Sequence, residues 1–349
     1  MKKEAEKTKE RFLYARKLYD QELGYRKGKP RKAGRYFFIS KEAIPYFPPL
    51  STQIRNDHLY VNIVPPTSNR IVLSKYVYHN DKIVDHKPYG RDEFRLYLNS
   101  ENDPGGDYYK PGDIVVFDEY LVKDEVVYRI HYFPASKNAP EYKKIERLIE
   151  ESEIKGGRHA LVPTSELPFI KTPSESILGK IVIPSEIIED ELEEPVEDEL
   201  KSLKPLLLPQ DIIKQEFQFT NIIRENAFRD LLLYFYDNKC AVTGEAIRYR
   251  NLSNIEAAHI IPGLYGGPTH PKNGIPLSRD LHWAFDEGFF TLNKEYCVTV
   301  HEKAITNPIL AAIDGRKILL PQDHRAWPSL HSIDWHKTNI FGIFYSKAE

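Results

Sequence analysis

Cysteine is scarce in this chain. Two in 349 residues, Cys240 and Cys297, are too few for a disulfide framework or a four-cysteine zinc site, and such usage favours a reducing intracellular compartment. No apolar run approaches the roughly 20 residues that a membrane span needs, and the N-terminal MKKEAEKTKERFLYARKLYD lacks the apolar core of a secretory signal. These absences predict a soluble, cytoplasmic protein with no membrane partner. Net charge is nearly absent too: 49 Lys and Arg against 51 Asp and Glu leave −2. That balance argues against a nucleic-acid partner until charge is followed along the chain. Residues 1–36 hold thirteen Lys or Arg and five acids, whereas EIIEDELEEPVEDEL, Glu186 to Leu200, holds nine acids and no base. The neutrality is a cancellation, and a basic arm is suited to phosphate contacts that release counterions. A solvated helix or tail is an equal reading of the arm alone.

At this length about two domains are expected, each large enough to bury a core. Positions 3–20 read as a helix, with Phe12, Ala15 and Tyr19 spaced for one face, before GYRKGKPRKAGRY breaks it. From Tyr36 the runs RYFFIS, HLYVNIVP, RIVLSKYVYH, EFRLYLN, DIVVFDEYL and VVYRIHYF alternate with Pro, Gly, Asn and Asp clusters, which predicts a small all-β barrel or sandwich. EYKKIERLIEESE reads as a helix, and GRHALVPTSELPFI returns a strand to the same domain. The acidic stretch is the expected linker, because like charges repel and bury nothing. The predicted organisation is a basic helical arm over 1–35, a β domain over 36–180, a linker over 181–210 and a second domain over 211–349. The fold class is therefore α+β.

The second domain opens with a helix, FTNIIRENAFRDLLLYFYDNKCAVTG, whose apolar stripe runs through Phe228 and Leu232. EAAHIIPGLYGGPTHPKNGIPLSRDLHWAFDEGFF follows. It reads as a strand ending in His259, a glycine-rich loop that brings Asn273 back, and a short helix presenting His282 with Asp286 one turn later on the same face. That arrangement gathers two imidazoles, an amide and a carboxylate around one point. The blocks KCAVTG, AHIIP, HPKNGIPLS and LHWAFDEGFFTL, in that order, resemble the His-Asn-His (HNH) nuclease motif of the ββα-metal fold. The resemblance implies DNA phosphodiester hydrolysis by a one-metal mechanism, with His259 as general base, His282 as a metal ligand, and Asn273 either orienting the catalytic histidine or completing the metal shell. The chemistry needs a deprotonated water and a divalent cation to stabilise charge on the phosphate, and Mg2+ or Mn2+ suits an oxygen-rich site. His270 has no counterpart in the motif and reads as loop surface. Many relatives place a metal-binding residue immediately before the catalytic histidine. Here it is Ala258, so Glu256 or Asp286 is expected to supply the ligand. No paired Cys-x-x-Cys elements are present, so no zinc ribbon is expected and Cys240 reads as a buried apolar residue.

In the β domain, GRDEFRLYLN followed by GGDYYKPGDIVVF resembles the pseudobarrel DNA-recognition domains of EcoRII-type restriction enzymes. That resemblance makes Arg55, Arg91 and Arg95 candidates for contacting bases in the major groove. A salt bridge from Arg95 to Glu93 or Asp92 is the alternative. The chain therefore reads as a sequence-specific restriction-type endonuclease acting on double-stranded DNA, and duplex cleavage by a one-site nuclease points to a homodimer. The alternative is an HNH DNase effector of a defence system, switched on by a nucleotide signal. A regulator with a dead nuclease is disfavoured because His259, Asn273 and His282 are all present.

Overall fold

The computed structural model describes residues 11–26, 29–30, 34–86, 88–122, 125–152, 158–171, 181–193, 196–202, 216–249 and 252–343. By its contacts the chain divides into two compact units, Met1–Ile187 with Gln215–Ile223, and Ile188–Lys214 with Arg224–Glu349. No helix among the described residues is long and apolar enough to cross a membrane.

The first unit is built on β1 (Phe12–Lys17), β2 (Tyr36–Ile39), β3 (His58–Val64), β4 (Val72–His79), β5 (Glu93–Tyr97), β6 (Ile114–Val122), β7 (Glu125–Phe133) and β8 (His159–Pro163). They form one eight-stranded sheet in the order β8-β1-β6-β7-β3-β4-β5-β2. All pairs are antiparallel except β3 with β7, which are parallel. All six apolar runs are strands, as alternation of β-branched and aromatic residues requires. The sheet curls strongly: Phe37 on the edge strand β2 lies 5.6 Å, ring to ring, from Phe117 on β6, although four strands separate them in the order. The inner face is aromatic, with Tyr14, Phe37, Tyr76, Phe117 and Tyr128 in one buried cluster. The outer face at β1 is covered by helix α1 (Pro140–Glu150), which buries Tyr142, Ile145 and Ile149 against Leu13, Ala15 and Val116.

The helix expected over 3–20 is not what its described part forms. Residues 12–17 are β1, paired on one side to β8 and on the other to β6; residues 1–10 lie outside the described residues. Leu13 and Ala15 face α1 while Tyr14 faces the aromatic interior, so both faces of the strand are buried. A strand buried on both faces loses its period of two and is easily misread as one helical face. Phe12, assigned to that face, is 40% exposed.

The acidic stretch is likewise not a bare linker. It forms α2 (Ser185–Glu193) and α3 (Val196–Ser202). Leu192, Val196 and Leu200 repeat every four residues and are all buried, and Val196 and Leu200 pack with Ile261 and Trp335. Two of the acids reach basic partners: Glu189 pairs with Arg325 at 3.1 Å, and Glu197 with Lys272 at 3.3 Å.

Helix α4 (Glu216–Phe235), which enters the second unit at Arg224, is followed there by a hairpin of β9 (Ile255–His259) and β10 (Gly274–Ser278) and then directly by helix α5 (Arg279–Asp286). The hairpin is antiparallel, with His259 opposite Gly274 and Glu256 opposite Leu277. Two strands and a helix thus follow in the expected order. A second hairpin, β11 (Phe290–Leu292) with β12 (Val298–Val300), and helix α6 (Leu330–Asn339) complete the unit. Leu281, Ala284 and Phe285 turn one face of α5 into the core, leaving His282 and Asp286 on the other. Cys240 is fully buried in that core.

Candidate active site

His259 is the last residue of β9, and three elements fix its ring. Gly274 stands opposite it, and a Cβ there would come within 2.6 Å of the Phe228 ring. The bare glycine therefore admits Phe228, and the His259 imidazole stacks on that ring with centroids 4.3 Å apart. Nε2 of His259 is buried, has no hydrogen-bond partner among the described residues and lies 3.8 Å from Glu225 Oε2. Burial, then the positive field of His282, lowers the His259 pKa to about 4. The imidazole is neutral at pH 7, the form a general base needs.

Asn273 is completely buried, and its carboxamide clasps the chain that leaves His259. Oδ1 accepts from the Ile261 N–H at 3.0 Å, and Nδ2 donates to Ile261 O at 2.9 Å and Pro268 O at 3.1 Å. Its own carbonyl accepts from Ile260 N–H at 2.9 Å. Gly267 closes over the clasp, where a Cβ would sit 1.8 Å from Ile261 O. Both ends of the amide are thus committed to the backbone of the loop that follows His259.

His282 sits between two carboxylates, with Nδ1 3.0 Å from Glu256 Oε2 and Nε2 3.3 Å from Asp286 Oδ2. Glu256 also accepts from Arg279 Nε at 2.9 Å. Burial is the main cause that raises the Asp286 carboxyl above its usual range, opposed by His282. Ala258 is fully buried in the core, so the residue before His259 contributes no donor. Among the described residues no three His, Cys, Asp or Glu side chains are gathered as a metal site; His282 is instead bonded to Glu256 on one side and Asp286 on the other. As a donor set, one imidazole and two carboxylates suit a hard divalent cation once the ring releases a carboxylate.

His270 is not loop surface. It is buried, donating from Nε2 to Glu191 O at 2.9 Å and accepting at Nδ1 from Lys272 N–H at 3.1 Å, which fastens α2 to the turn that carries Asn273. His336 is buried beneath α5, stacked on Phe285 at 3.8 Å. Burial lowers His270 to about 4 and His336 to about 3. A histidine kept neutral by the fold is protonated first in the unfolded chain, so its contribution is intact above about pH 6.5 and is lost as pH falls from there toward the folded value. We expect each to cost about 2 kcal/mol of stability at pH 5. Melting temperature should fall steeply between pH 7 and 5 while the ring-proton shifts of His270 and His336 stay flat; a ring that titrates near pH 6.5 in the folded protein would refute this.

Of the arginine candidates, Arg95 is committed internally: its Nε donates to Glu93 at 2.8 Å and its guanidinium lies 4.1 Å over the Tyr36 ring. Arg91 donates to Asp81 at 2.8 Å, and Arg55 lies 3.1 Å from Asp85. Both side chains remain about half exposed. Glu225 was missed in the sequence, although it stands three residues before Phe228 on one helical face, an acid interrupting an apolar stripe.

Residues 240–293 match the family described as HNH endonuclease. No curated protein matches the chain. One solved structure, a modification-dependent TagI restriction endonuclease, is 19% identical over 35% of this chain with a TM-score of 0.26, and the match spans 40% of that protein's length. Residues 240–293 thus match an HNH endonuclease family model, and in the structure the segment holds a strand, a loop, a second strand and a helix in that order.

Proposed function

We propose that the protein is a restriction-type endonuclease that hydrolyses double-stranded DNA through a single divalent cation. The observation that supports this best is the presence of a neutral His259, stacked on Phe228, beside a separate His282 flanked by Glu256 and Asp286. In this reading His259 deprotonates the attacking water, and His282 with Glu256 or Asp286 holds Mg2+ or Mn2+. Once bound, the cation would stabilise charge on the phosphate and leaving oxygen. The curled sheet is the recognition unit, of pseudobarrel type. Arg55 and Arg91 are the better-placed DNA contacts of the three, because Arg95 is spent on Glu93 and Tyr36. Duplex cleavage by one site per chain favours a homodimer.

The test is a digest of duplex DNA by purified protein with Mg2+ alone. Discrete fragments support the proposal, and silence until a nucleotide is added supports the signal-activated alternative. In the same assay Glu256→Gln and Asp286→Asn separate the acids. Loss of a ligand should raise the metal concentration for half-maximal cleavage about 10-fold or more and be rescued by added metal. If both variants cut normally at low metal, neither carboxylate is a ligand.

A further inference from the structure

We infer that Glu225 is a positioning residue for His259, fixing which ring nitrogen acts as the base. The inference rests on the proposed role of His259 and extends it to a residue outside the matched 240–293 segment. Among the described residues Nε2 of His259 is shielded from solvent and has no hydrogen-bond partner, and Glu225 Oε2 lies 3.8 Å from it. A buried ring N–H without an acceptor is costly. Phe228 holds the imidazole plane by stacking, and Glu225 leaves the same helix three residues earlier, so ring and carboxylate are carried by one rigid element. A shortening of about 1 Å makes Nε2–H···Oε2 a hydrogen bond, and catalytic hydrogen bonds are often long before substrate binds.

With Nε2 carrying its hydrogen toward Glu225, Nδ1 holds the free lone pair. Water gives a proton to Nδ1 as its oxygen forms the new bond to phosphorus. The P–O ester bond breaks with its electron pair on the leaving oxygen, which takes a proton from solvent. The ring is then an imidazolium whose charge the Glu225 carboxylate offsets. This is the part an acid plays behind the base histidine in hydrolytic triads.

The test uses the full-length protein with duplex DNA. Glu225→Ala and Glu225→Gln should lower kcat about 10- to 100-fold with KM little changed, while Glu225→Asp keeps part of the rate. Raising Mg2+ or Mn2+ should rescue none of them. In 15N-histidine spectra without DNA, His259 should be the Nε2–H tautomer in the wild type and a mixture in Glu225→Gln, whose amide can donate to Nε2. Wild-type kcat in both Ala and Gln variants, an unchanged tautomer, or rescue by metal would overturn the inference. If the wild type cuts no DNA, the functional reading fails, whereas the tautomer still reports on the pair.

Discussion

Replacing His259 with alanine should lower the cleavage rate about 1,000-fold, the scale expected when a general base is removed, with DNA affinity nearly unchanged. Affinity should persist because binding rests on phosphate and base contacts made elsewhere. The ring stacks on Phe228, so truncation also removes packing. His259→Gln, close in size, separates lost packing from lost basicity. Single-turnover cleavage, binding in Ca2+ and thermal melting are the three measurements. Cutting at the wild-type rate by both variants would remove His259 from the general-base role.

Asn273→Ala should be damaging for a different reason. It strands three backbone groups, the N–H and C=O of the fully buried Ile261 and the C=O of Pro268, beneath Gly267. Each unsatisfied buried group costs about 1–3 kcal/mol, so a loss of about 3 kcal/mol or more is expected, or roughly 10 °C in melting temperature for a unit of this size. Asn273→Asp keeps the acceptor but loses both donors and buries a charge, and it should be no better. Cleavage should fall in both variants, because the clasp fixes the chain immediately after His259. An Asn273→Ala protein that melts like the wild type but no longer responds to metal would show instead that Asn273 is a ligand.

The six strands from Tyr36 to Phe133 were legible because their residues alternate and their turns are marked by Pro, Gly and Asp. β1 was not, because it is covered on both faces. Its burial depends on α1 and β8, more than a hundred residues later. In the acidic stretch the spacing of Leu192, Val196 and Leu200 was visible, but nine acids outweighed it. What reverses the balance is the apolar surface of Ile261 and Trp335, which receives that stripe. His270 was misplaced for the same reason, since its acceptor, the Glu191 carbonyl, is 79 residues away.

By itself the sequence determined the order of the motif blocks, the placing of His259 at a strand end, and the donor types around His282, because these depend on local spacing and side-chain chemistry. Tertiary structure decided what each of those atoms faces. It turned the Asn273 amide onto the Ile261 backbone, set His282 between Glu256 and Asp286, and tied Arg95 to Glu93 and Tyr36. It also brought Glu225 to within 3.8 Å of His259 from a different element. Hydrogen bonds and ion pairs act only over a few ångströms, and a folded chain sets such distances between residues whose separation along the sequence carries no trace of them.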